Sequence, residues 1–115
     1  MNSRSRKHLE QICLAADRIY DWTEDINEHR LRANKILCSA IERQFEVISA
    51  ALSRIEHDDP DVLARIDDAQ IAIRLGQAIY QKYDEIDYGI LWRAKRDNLP
   101  NFLEQIRTII SHNKP

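Results

Sequence analysis

Six apolar residues, Cys38, Ile41, Phe45, Ile48, Leu52 and Ile55, follow one another at spacings of 3-4-3-4-3. Such a ladder lies on a single face of an α-helix, whereas in a strand it would scatter over both faces, so a strand is excluded here. With only two glycines and three prolines among 115 residues, the chain also has little from which to build hairpin turns. The spacing therefore predicts an all-α fold, with this ladder as a seam suited to antiparallel bundle packing. A second row, Leu37, Ala40, Val47 and Ala51, widens the apolar face beyond what one neighbour covers. That width places the helix centrally in the fold or against a second subunit.

The flanking segments repeat the pattern. Over residues 5 to 21, Leu9, Ile12, Cys13, Ala16, Ile19 and Tyr20 form one stripe opposite Glu10, Asp17 and Arg18. A polar stretch from Trp22 to His29 precedes the seam helix, which runs to Glu56 before His57-Asp58-Asp59-Pro60 breaks it. Asp59 before Pro60 starts a short helix reaching Ile66, and Asp67 with Gln70 reads as a capping box opening a helix through Tyr80. Asp84 to Asp87 reads as a turn, and Asp87 as the N-cap of a last helix carrying Ile90, Leu91, Ala94, Leu99, Phe102, Leu103, Ile106, Ile109 and Ile110, kinked at Pro100. The length suits one domain over residues 1 to 115, with no internal repeat.

Charge narrows the function classes. The formal net charge is −2 with 31% charged residues, so the surface is mixed and RNA binding is not announced by a basic field. Cys13 and Cys38 fall on apolar helix faces, the setting of buried thiols rather than a disulfide, and fit a reducing cytoplasm. Met1 to Lys7 is polar and basic with no apolar run behind it, and no segment approaches the roughly 18 apolar residues of a membrane span. A soluble protein with no membrane partner is expected. His8, His29 and His57 are scattered without ligand spacing, and the acidic runs Asp58, Asp59, Asp61 and Asp67, Asp68 read as helix starts, so no metal or cofactor is expected. Trp22 and Trp92 read as core or interface anchors, since no basic residues interleave with exposed aromatics.

The stretch Ile66 to Asp87 carries a more specific signal. Laid without gaps on the pattern I-x-D-A-x-x-I-I-x-[FM]-R-N-x-L-x-H-x-Y-D-x-I-D, it keeps Ile66, Asp68, Ala69, Ile73, Ile79, Tyr83, Asp84, Ile86 and Asp87. Upstream, Arg43 to Ala51 follows R-x-x-E-I-I-G-E-A with Glu46 kept and Ala50 in place of the second glutamate; downstream, Ile86-Asp87-Tyr88-Gly89-Ile90-Leu91-Trp92 and Asn98-Leu99-Pro100-Asn101-Phe102 follow I-D-x-x-I-x-W and D-L-P-x-L. In these residues the chain resembles the HepT-like branch of the HEPN superfamily, from about residue 7 to 107.

The resemblance implies an antiparallel four-helix bundle with an additional short helix, assembled as a two-fold homodimer. It also implies a toxin encoded with a minimal nucleotidyltransferase antitoxin, and a metal-independent endoribonuclease whose arginine and histidine meet across the dimer. Histidine moves a proton near neutral pH, and arginine holds the charge that grows on phosphate. In this chain Gly76 stands at the arginine position, Gln77 at the asparagine and Gln81 at the histidine. Losing acid-base catalysis alone costs about 10² to 10⁴ in rate, so the expected function is a HepT-like component whose ribonuclease site is decayed or repurposed.

Two other functions fit the same residues: a non-catalytic binding or scaffolding module, and an active ribonuclease in which Arg74, two helical turns before Gln81, works with Tyr80 or Gln81. The literal pattern Arg107, four residues, His112 lies at the frayable chain end. The resemblance further implies that Tyr83 is the tyrosine to which a partner nucleotidyltransferase attaches AMP, in a solvent-accessible cleft near Gln81, Gly76 and the dimer axis. The plain alternative is a tyrosine that packs its ring and exposes its hydroxyl.

Overall fold

The computed structural model describes residues 1 to 81 and 87 to 112. Among them there are helices and no strands. The elements are α1 (Ser3–Thr23), α2 (Glu28–Ala33), α3 (Lys35–Asp58), α4 (Pro60–Leu63), α5 (Ala69–Gln81), α6 (Tyr88–Arg93), a π-helical turn (Ala94–Asn98) and α7 (Leu99–His112). Helix α3 is the axis of the fold: α1 packs along it on one side and α5 on the other, while α7 packs on α1. All six rungs of the seam are buried, and of the second row Ala51 is buried while Leu37 and Val47 are partly covered. Two apolar rows on one helix are what packing between two partners requires.

The chain departs from the sequence reading where a polar side chain, rather than an apolar period, sets a boundary. Asn27 accepts a hydrogen bond from Arg30 N–H at 2.9 Å and opens the short helix α2 inside what reads as polar connection and helix start. Asn34, extended at φ −111° and ψ 94°, then ends α2 and caps α3 by accepting from Leu37 N–H at 3.0 Å. A side-chain acceptor three residues ahead of an orphan N–H is the ordinary N-cap device, and it divides one long helix into two.

A second departure lies before α5. Asp67 forms no capping box; its N–H donates to Gln105 Oε1 at 2.9 Å and its carboxylate accepts from Gln105 Nε2 at 2.8 Å. Gln70 instead hydrogen-bonds Glu56. The connection is therefore tied to α7, α4 stops at Leu63 short of Ile66, and α5 starts two residues late. Asp68 takes up the turn at φ 61°, a left-handed conformation that aspartate tolerates better than most side chains.

Asp87 caps α6 as its position predicts, accepting from Gly89 N–H at 2.8 Å. The irregularity ahead of Pro100 is a π turn: Leu99 N–H donates to Ala94 O, one residue further back than in an α-helix. Proline at 100 has no N–H to offer the carbonyl four residues earlier, and the extra residue absorbs the misfit. Both cysteines are free thiols; Cys38 is buried and donates to Leu31 O at 3.0 Å, while Cys13 is only half-buried. Trp92 is half-buried beneath Lys95, whose Nζ lies 4.4 Å from the ring centre, whereas Trp22 is exposed rather than part of the core. No helix among the described residues is long and apolar enough to cross a membrane.

Burial ranks these contacts. Leu52 is fully buried on α3, whereas the Arg107–Asp17 pair between α7 and α1 is 58% and 48% exposed. Leu52→Ala is expected to lower unfolding free energy by about 2–5 kcal/mol. Arg107→Ala is expected to change it by less than about 1 kcal/mol. Urea unfolding of the two variants beside the parent checks the ranking.

Candidate functional site

The residues that the resemblance marks as catalytic gather where α5 crosses α3. Gly76 is buried at this crossing, and a Cβ built on it would lie 2.1 Å from Ser49 Cβ, 2.6 Å from Ser49 Oγ and 3.2 Å from Phe45 O. No real side chain tolerates the first of these distances, so only glycine lets the two backbones come this close. Ser49 completes the contact by donating its hydroxyl to Ile73 O at 2.7 Å, which pairs the one polar group its side chain brings to the crossing.

Beside the crossing is an open cleft of about 480 Å³. Helix α5 contributes Gln77, Tyr80 and Gln81, and α3 contributes Arg43, Glu46 and Ala50. Tyr80 is 77% exposed at its edge. Arg43 Nη1 lies 3.7 Å from Glu46 Oε2, one turn along α3, and is largely exposed. Among the described residues the cleft thus carries two neutral amides, a phenol, the hydroxyls of Ser49 and Ser53 and an arginine–glutamate pair. Amides and a phenol bind and orient a polar group; none of them is a proton carrier matched to neutral pH.

The structure brings Gly76, Gln77 and Gln81 together with Glu46 and Ala50 in this cleft. Arg74 does not line this cleft: it is exposed on α5, where its Nε donates to Gln70 O at 3.3 Å. Arg107 and His112 line a separate cleft of about 680 Å³ with Tyr20, and Arg107 Nη2 is held by Asp17 at 3.0 Å. Tyr83 lies outside the described residues, as does the turn from Asp84. Arg43 is the cleft cation that site reasoning on α5 alone misses, although it stands at the first position of the R-x-x-E run on α3.

One polar tie joins α6 to α3 next to the cleft's helix. Tyr88 donates its hydroxyl to Glu42 Oε1 at 3.1 Å. Burial, and then the Glu42 carboxylate, push the Tyr88 hydroxyl well above the usual tyrosine range. Burial likewise raises the Glu42 carboxyl, against the opposing pull of the Tyr88 hydrogen bond.

Comparison with known proteins rests on nearly the whole of this architecture. The family model described as "Ribonuclease HepT-like" matches residues 12 to 109, from within α1 to within α7. The chain belongs to the HepT-like ribonuclease family. A Methanocaldococcus jannaschii protein named "Putative RNase MJ1380" is 24% identical over 101 residues, covering 88% of this chain and 92% of that protein. A second protein of the same organism, named "Gamma-glutamylcyclotransferase and putative RNase MJ0434", is 23% identical over 103 residues. That alignment covers 90% of this chain and 46% of the relative, so the HepT-like chain spans about half of the second protein. No solved structure matches it significantly.

Three outcomes follow from the geometry. Gly76→Ala is expected to destabilise the fold by about 1–3 kcal/mol through overpacking, and adding Ser49→Gly, which removes the opposing Cβ, is expected to recover a large part of that loss in a double-mutant cycle. Tyr88→Phe removes the bond that favours ionised Glu42, so the Glu42 pKa is expected to rise further, read by NMR titration. Because a raised carboxyl pKa makes folding more favourable at low pH, the parent's stability advantage over Glu42→Gln is greatest below the unfolded carboxylate pKa. It is lost as pH climbs through the folded value.

Proposed function

We propose that this HepT-like chain is the toxin-side component of a pair formed with a minimal nucleotidyltransferase, acting as a homodimer whose ribonuclease site is decayed or repurposed. The observation that carries the reading is the Gly76–Ser49 crossing. In the HepT-like pattern glycine stands where this chain has Ser49, and arginine where it has Gly76; here the small residue is on α5 instead of α3. A guanidinium at 76 has no room beside Ser49. With Gln81 at the histidine position and Gly76 at the arginine position, the described residues of the cleft include neither the histidine nor the motif arginine that metal-free phosphodiester cleavage would use. The cleft's exposed Tyr80 and its amides suit holding a partner more than cutting RNA. The non-catalytic binding module is the same geometry without a toxin role, and an arginine-74 ribonuclease needs Arg74 to reach a cleft it does not line. Free thiols and the mixed surface charge support a cytoplasmic setting.

Purified protein is expected to leave tRNA and mRNA intact relative to buffer. RNA cleavage abolished by Arg74→Ala would sink this reading and promote the ribonuclease; cleavage abolished by Arg107→Ala or His112→Ala would move the activity to the α1/α7 cleft. The combined variant Ser49→Gly, Gly76→Arg, Gln81→His is expected to gain cleavage over the parent, which Gly76→Arg alone does not.

Solution scattering at tens of micromolar is expected to give a dimer mass, with α3 and α5 at the contact; a monomer mass counts against the assembly. Incubation with the neighbouring nucleotidyltransferase and ATP, followed by intact mass, tests the partner. A gain in multiples of AMP lost in Tyr83→Phe is the expected result, and no gain leaves Tyr83 as packing alone.

A further inference from the structure

We infer that the narrow pocket between α3, α5 and the π turn is a binding site for a primary alkylammonium group. The pocket holds about 80 Å³ and lies apart from the cleft at Gly76, sharing no lining residue with it. Phe45 and Phe102 line it together with Ile71 and Leu75, while Asp68 and Asn98 border it. Its size admits an alkyl chain of about four or five carbons and excludes a nucleobase.

Three observations converge on it. Both backbone irregularities of the described chain border this one pocket: Asp68, the non-glycine residue with positive φ, and Asn98, the last residue of the π turn. Irregularities of this kind concentrate where a chain shapes a binding surface. Of the two acids in the loop, Asp67 is consumed by its reciprocal bonds with Gln105, whereas among the described residues nothing donates to the Asp68 carboxylate. Finally, Ile71, which lines the same pocket as Asp68, is 59% exposed, an apolar surface left for an alkyl stem.

An apolar slot bordered by an aspartate unpaired among the described residues and by Asn98 and Asn101, whose amides can turn an acceptor to it, suits a stem that ends in N–H donors and a positive charge. It disfavours an alkyl carboxylate of the same length by charge repulsion. A free diamine and a lysine side chain both carry this group.

The test is a titration of the isotope-labelled protein by amide NMR. n-Butylamine is expected to shift Ile71, Ala72, Leu75 and Asn98 saturably, with a Kd on the order of 1 mM, while n-butanol binds about three- to fivefold more weakly and butyrate more weakly still. Asp68→Asn keeps a side chain that accepts positive φ and removes the charge; it is expected to weaken butylamine about three- to fivefold. Ala72→Leu fills the pocket and is expected to abolish the shifts, with the remaining spectrum showing an intact fold. Putrescine and an Nα-acetyl-lysine amide distinguish the source, the tighter of the two naming it. Equal binding of butyrate or butanol, shifts mapping elsewhere, unchanged affinity in Asp68→Asn, or no saturable shift by any of the three amines overturns the assignment.

Discussion

The van der Waals contact between Gly76 and Ser49 sets how near α5 lies to α3, and the rest of the structure is arranged around that distance. Because no Cβ fits at 76, the two helices meet backbone to side chain, and the Ser49 hydroxyl reaches the Ile73 carbonyl. Ile73 and Ile79 then settle into the same interface as Phe45 and Ile48. A longer side chain at either position drives the helices apart and takes those residues with it, since close-packed interfaces transmit a displacement rather than absorb it.

The same contact decides what the neighbouring cleft can hold. Position 76 is spent on packing, so the cleft chemistry comes from the residues one turn away on either helix: Gln77, Tyr80 and Gln81 on α5, Arg43 and Glu46 on α3. Among the described residues, the arginine of the cleft sits on α3, the helix that faces α5. An arginine beside its own glutamate is partly neutralised, and at 70% exposure it is a solvated group more than a preorganised clamp.

Much of the fold was readable from residue spacing, because burial selects residues at helical period and that period survives in the sequence. The seam on α3, the stripe on α1 and the cap at Asp87 are all of this kind. What the spacing misses are choices between partners distant in sequence. Asp67 with Gln70 is locally a good capping box, yet Gln105, on α7, and Glu56, on α3, take the two side chains. Asn27 and Asn34 each cap a helix here, yet a cap competes with helix continuation, and the outcome depends on where Leu31 is buried.

For the site, the sequence by itself determined which side chains stand at the motif positions, since that follows from the register alone. It also determined the helical class and the family, through apolar period and motif spacing. Only the tertiary structure decided that Gly76 lies at a helix crossing against Ser49, that Arg43 and not Arg74 lines the cleft, and that Asp68 borders a pocket. Those facts depend on the distance and rotation between helices, which are fixed by packing of residues far apart in the chain, and no local pattern encodes them.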